Sequence, residues 1–146
     1  MRGLMQVKRL VAGFASALAV LSVCAVAWAQ ADRTDAKGAA EPVVKQLEAF
    51  RRGDFDTAFT FASGMIRAQF DRAAFETMVR RGYPEIARST FAAVTRTELD
   101  SPGLAYVTVK IRGANGQAVE ALYEMIWEDG WRINGVVTRP DAAGTV

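Results

Sequence analysis

The chain has no histidine, and its 146 residues include a single cysteine, Cys24. Without histidine, Ser-His-Asp and Cys-His nucleophile systems and ordinary zinc sites lack a side chain they depend on. Any chemistry would rest on Asp, Glu, Tyr, Lys or Arg. One cysteine cannot staple a domain, so stability must come from the core. Internal repeats, low-complexity segments and a phosphate-cradling glycine loop are also missing. Gly53, Gly64, Gly82, Gly116 and Gly130 read instead as caps or turns. No catalytic or metal motif stands out, and no cofactor is expected.

What is present at the start reads as an address. Arg2, Lys8 and Arg9 precede an uncharged, almost wholly apolar run over 10–26. Ala27-Trp28-Ala29 follows, with small residues at both positions a signal peptidase reads. This is the three-part layout of a secretory signal. The reading is a signal peptide over 1–29, cleaved between Ala29 and Gln30. The mature protein is then periplasmic or secreted through the general export route, with no stable membrane span. Two alternatives stay open. Residues 10–29 are long enough to remain as an uncleaved anchor. Leu21-Ser22-Val23-Cys24 has the outline of a lipidation site at Cys24, with Val23 where a small residue is expected.

Cleavage leaves 117 residues, enough for one domain. The leader holds three of the 18 basic residues and none of the 16 acidic ones, so the mature chain carries 15 against 16, a net charge of −1. The basic pI of about 8.9 belongs largely to the leader and does not argue for a nucleic acid partner.

Residues 30–40 read as a flexible lead-in, 41–140 as one domain and 141–146 as a tail. Helical signals fill 41–82. Pro42 suits a first turn, and Val43, Val44, Leu47 and Phe50 form one stripe. Arg51-Arg52-Gly53 ends that helix with cations and a left-handed cap. Asp54 caps a second helix, with Phe55, Ala58, Phe59 and Ala62 inward. Ser63-Gly64 breaks it, and 65–70 is a short helical turn. Asp71 caps a third helix, with Phe75, Met78 and Val79 inward, and Arg80-Arg81-Gly82 repeats the stop signal. The two Arg-Arg-Gly sites are explained as helix ends rather than as a basic patch.

From residue 90 the period becomes two, giving four strands at about 90–99, 104–112, 117–127 and 131–138. Ser101-Pro102-Gly103-Leu104 reads as a type II turn. Matching the apolar faces decides the next loops. A three-residue Ala114-Asn115-Gly116 loop sets Ile111 opposite Val119, Lys110 opposite Glu120 and Tyr106 opposite Glu124. A Glu128-Asp129-Gly130 loop sets Trp127 opposite Trp131, Met125 opposite Ile133 and Tyr123 opposite Gly135. Leu122, Ile126 and Val136 then fall on the other face, as an oligomer interface or as ordinary surface. Helices followed by a meander, in two layers, make an α+β domain: three N-terminal helices on a four-stranded antiparallel sheet.

Several segments carry a family resemblance. They are Gln46-Leu47-Glu48-Ala49-Phe50, Asp54-Phe55 with Ala58-Phe59, Phe61-Ala62-Ser63, Met78-Val79-Arg80 and Gly82-Tyr83-Pro84. Tyr123-x-Met125 and Gly130-Trp131-Arg132-Ile133-Asn134-Gly135-Val136 complete the set. Residues 42–138 resemble the bacterial family known as domain of unknown function 4864. The resemblance implies a curved, cone-shaped fold of the nuclear-transport-factor-2-like, or cystatin-like, class. It implies no activity and no functional residues.

Such cones often hold a pocket between sheet and helices, an analogy at the level of fold alone. Phe75, Tyr83, Tyr123, Trp127 and Trp131 are the ligand-pocket candidates, with core packing as their other reading. Glu120 and Glu124 share a strand face but have cross-strand partners, so no catalytic residue is assigned. Asn134 reads as surface. The expectation is an exported, non-enzymatic binding or accessory domain of the bacterial envelope, with a small apolar ligand or an envelope protein as partner. A small isomerase or dehydratase using Tyr or Glu groups, and a homodimeric interaction module, are the alternatives.

Overall fold

The computed structural model describes residues 33–143. The leader, its cleavage between Ala29 and Gln30, and Cys24 lie outside them, as do residues 30–32 of the lead-in and 144–146 of the tail. Five helices precede four strands: α1 (Ala40–Arg51), α2 (Phe55–Thr60), α3 (Gly64–Gln69), α4 (Arg72–Gly82), α5 (Pro84–Ala87), β1 (Ser89–Ser101), β2 (Leu104–Gly113), β3 (Ala118–Trp127) and β4 (Trp131–Pro140). The strands form one open antiparallel sheet in the order β1-β2-β3-β4. The class is α+β.

Where three helices and a turn are expected, five helices form. The turn at 65–70 is a helix in its own right, α3. Its N-cap, Ser63, accepts from the Ile66 N–H at 3.2 Å. The second addition is α5, which Pro84 opens at its first position. Asp54 and Asp71 cap α2 and α4 as expected, accepting from the Thr57 and Ala74 N–H groups. Gly53 takes a left-handed φ of +70° beyond α1. Gly82 does not do so; it is the last residue of α4. Pro84 disfavours helical backbone at Tyr83, which ends the helix without a left-handed glycine.

The helical stripes bury Val43, Gln46, Leu47 and Phe50 from α1, Phe55 and Ala58 from α2, and Phe75 and Val79 from α4. Val44, expected on the α1 stripe, is 41% exposed. Gln46 takes the inward place, donating from Nε2 to the Ala58 carbonyl at 3.0 Å, and so ties α1 to α2. The arginines at the helix ends have local work. Arg80 lies 4.4 Å over the Phe55 ring, and Arg51 Nε donates to Ser89 Oγ at 3.0 Å. Residues 33–39, expected as a flexible lead-in, touch the domain: Gly103 N–H donates to the Arg33 carbonyl at 2.9 Å, and Ala39 is fully buried.

Ala105, Val107, Val109 and Ile111 of β2 and Val119, Ala121, Tyr123 and Met125 of β3 face the helices and are buried. The β2–β3 register follows the matched faces, with Ile111 opposite Val119, Lys110 opposite Glu120 and Tyr106 opposite Glu124. Gly116 is left-handed, as the three-residue loop requires. The β3–β4 register begins as expected, with Trp127 opposite Trp131 and Met125 opposite Ile133.

It then shifts. Glu124 pairs with Gly135, and Tyr123 with Val136 rather than Gly135. Asn134 is the extra residue of a β-bulge, and one extra residue exchanges the faces of everything beyond it. Val136 therefore turns toward the helices, where it packs on the core. Val137 takes the outer place beside Leu122, 65% exposed. Asn134 is half-buried rather than a surface residue.

Two substitutions follow from these contacts. A Cβ on Gly113 would lie 2.9 Å from the Glu85 Cα and 2.7 Å from Asn115 Oδ1, whereas one on Gly135 would meet open space. Gly113→Ala should cost about 1–3 kcal/mol of unfolding free energy in urea, and Gly135→Ala less than about 0.5 kcal/mol. Ser63 is fully buried, caps α3 and donates to Asn134 Oδ1 at 2.8 Å. Ser63→Ala should therefore cost about 2 kcal/mol in the same assay.

Candidate functional site

Helices of four to twelve residues cannot cover a sheet of ten- to thirteen-residue strands without gaps. One gap is an apolar cavity of about 520 Å³ between the helical layer and the inner face of β3 and β4. Gln46, Phe50, Phe75, Val79, Ile86, Tyr123 and Ile133 line it as buried side chains. Ile66, Phe70, Met78, Tyr83 and Val136 are its half-buried members. Phe75 is held among aromatic neighbours, with ring centroids 4.9 Å from Phe59 and 6.2 Å from Phe50. None of the lining residues is an Asp, Glu, Lys or Arg.

Three lining residues carry polar side chains, and two of them hold the scaffold. Gln46 bonds the Ala58 carbonyl, as above. The Tyr83 hydroxyl donates to the Val136 carbonyl at 3.1 Å, pinning the α4–α5 junction to β4. The Tyr123 hydroxyl differs: it is buried and has no hydrogen-bond partner among the described residues. Burial pushes the Tyr123 phenol well above its ordinary pKa, and the nearby Tyr83 adds a smaller push. The group is therefore a fixed, neutral donor across the ordinary pH range.

The cavity thus gathers three of the five expected pocket residues, Phe75, Tyr83 and Tyr123. Trp127 and Trp131 do not line it. They flank the β3–β4 loop as a T-shaped pair with centroids 5.5 Å apart, beside a separate groove with Pro42 and Phe61. Trp131 is 6% exposed, and its indole N–H is also buried without a partner among the described residues. The remaining lining residues were legible only in part. Met78 and Val79 stand out by helical spacing; Gln46 does not, since the expected stripe of α1 runs through Val43, Val44, Leu47 and Phe50. Ile66, Ile86 and Val136 depend on α3, α5 and the bulge.

The carboxylates lie elsewhere. Glu120 faces outward and pairs with Arg139, while Lys110, across the sheet from it, reaches Asp141 at 3.4 Å. Glu124 accepts from Asn134 Nδ2 at 2.6 Å. Among the described residues there is no cluster of three metal-ligating side chains, and no helix is long and apolar enough to cross a membrane.

Residues 32–146 match the family model described as a domain of unknown function (DUF4864), and the chain belongs to that family. No curated protein and no solved structure matches the chain.

The two tyrosines should respond oppositely to loss of the hydroxyl. Tyr123→Phe removes an uncompensated buried polar group and should stabilise the ligand-free protein by about 1 kcal/mol. Tyr83→Phe breaks a formed bond and should destabilise it by about 1 kcal/mol. Urea unfolding of the two variants side by side checks the contrast.

Proposed function

We propose that this DUF4864 domain is a non-enzymatic binding module of the bacterial envelope that holds a small apolar ligand between its helices and its sheet. The cavity of about 520 Å³ carries the reading. Its size falls in the range of roughly 300–1,000 Å³ typical of small-molecule sites, and its apolar lining with a few polar groups, Gln46, Tyr83 and Tyr123, is the usual composition of such sites. A cavity under crossing helices also suits a nuclear-transport-factor-2-like cone. The three-part layout of residues 1–29 supports export.

The isomerase or dehydratase alternative needs a group that can take up a proton near pH 7. The lining offers no carboxylate, and Tyr123, with its pKa raised by burial, is a poor base. Leu122 and Val137, adjacent and exposed on the outer face of the sheet, favour the homodimeric reading as a second role for the other face.

Native mass spectrometry of the full chain, expressed with its leader and purified from the envelope fraction, tests the proposal. The expected species begins at Gln30 and takes up the neutral dye N-phenyl-1-naphthylamine. Met78→Trp, which fills the half-buried side of the cavity, should weaken dye binding at least about tenfold. A folded protein that takes up no dye overturns the ligand reading. Retention of residues 1–29 overturns cleavage, and a ligand-free dimer moves the function to the outer face.

A further inference from the structure

We infer that the ligand of this cavity is an uncharged, largely apolar molecule with one hydrogen-bond acceptor oxygen, such as a carbonyl, and that the Tyr123 hydroxyl is the group that binds that oxygen. The inference rests on the cavity being the binding site and adds the chemistry of what it selects.

Two observations carry it. The first is the charge inventory of the lining. With no Lys or Arg among the lining residues, a carboxylate or phosphate would enter without a counter-ion, and with no Asp or Glu an ammonium would do the same. Burying an unpaired ion in an apolar site is prohibitive beside burying a neutral group, so the lining disfavours an ionised group carried inside it and accepts a neutral one.

The second is the state of the polar groups. One N–H of Gln46 Nε2 and the Tyr83 hydroxyl already donate to the backbone carbonyls of Ala58 and Val136. Tyr123, 1% exposed, is one of the lining residues, and its hydroxyl is buried with no partner among the described residues. A buried hydroxyl without a partner is costly, and sites that bind by one oriented hydrogen bond often keep such a donor for the ligand. The inward-facing neighbours of Tyr123 on β3 are Ala121 and Met125, neither of which competes as an acceptor of that bond. Burial also keeps the phenol protonated, so the donor is present throughout the physiological pH range.

The test compares three ten-carbon probes with the full chain purified as above: decan-2-one, decane and decanoate at neutral pH. Affinities are measured by competition against N-phenyl-1-naphthylamine in the native protein and in Tyr123→Phe. The expected result is that Tyr123→Phe weakens decan-2-one about tenfold more than decane, the size of one lost hydrogen bond. Decanoate should bind more weakly than decan-2-one in the native protein. Independently of any variant, the carbonyl stretch of bound decan-2-one should lie at lower wavenumber than in alkane solution.

Equal weakening of decan-2-one and decane, with no shift of the carbonyl stretch, overturns the role of Tyr123 while decane binding keeps the cavity reading intact. Decanoate as the tightest probe overturns the neutral-ligand assignment. Failure of all three to displace the dye, or absence of dye binding, overturns the binding reading itself.

Discussion

One extra residue in β4 sets the shape of the cavity wall. The bulge at Asn134 is held from both sides: Ser63 donates to its Oδ1 and its Nδ2 donates to Glu124. Beside it, β4 and the segment before α3 exchange backbone bonds, Ser63 N–H to the Ile133 carbonyl at 2.8 Å and Ile133 N–H to the Phe61 carbonyl at 2.9 Å. The bulge is therefore held by its own side chain and by the backbone beside it, support that a disrupted ladder needs if it is to persist. It places Val136 on the inner face, where its side chain lines the cavity and its carbonyl receives Tyr83. In an unbulged strand Val137 would face inward instead, and the Tyr83 contact would be lost.

The same latch supports the weakest part of the helical layer. The six-residue α3 has no fully buried residue. A helix of that length cannot stand alone, since helix nucleation costs more than so few bonds return. Its N-terminus is held by Ser63 and by Glu128 from the β3–β4 loop, whose carboxylate accepts from the Gly64 N–H at 3.0 Å. Ile66, which α3 contributes to the cavity, thus sits on an element fixed by its caps rather than by deep packing. The opposite wall is firmer. Phe75 and Val79 belong to the eleven-residue α4, whose exposed side carries Arg72 paired with Asp56 and Glu76, and Glu76 paired with Arg80 at 2.8 Å.

Much of the fold was legible because alternation along β2 and β3 admits only one register with matching faces. Sliding the pair by one residue would set Ile111 against Glu120, so the pattern excludes the slip. The caps at Asp54 and Asp71 were legible for a similar reason, each being a single acceptor just before an apolar stripe. The bulge was not. Val136 and Val137 are both apolar, so either phase of β4 satisfies the alternation, and the partners that choose between them lie far away in sequence. Four residues are also too few for α5 to show a period, although Pro84 marks its start. The site suffered accordingly. Phe75, Tyr83 and Tyr123 were found because aromatic size and a polar tip are visible in the residue itself. Trp127 and Trp131 share those traits but flank a hairpin loop, where they pair with each other.

The two faces of the sheet divide the chemistry between them. Outward residues of β2, β3 and β4 include Lys110, Glu120, Glu124 and Arg139, each with an oppositely charged or amide partner. The Arg139–Glu120 pair, whose arginine is largely exposed, adds little stability. Inward residues are apolar except for a few groups, and those have named partners apart from the Tyr123 hydroxyl and the Trp131 indole. The Trp131 N–H lies beside the hairpin, where the ring serves packing against Trp127. The Tyr123 hydroxyl lies under a cavity, where an apolar residue of similar shape would pack with less cost. A Phe at that position would fill the same place without a buried, unpartnered hydroxyl.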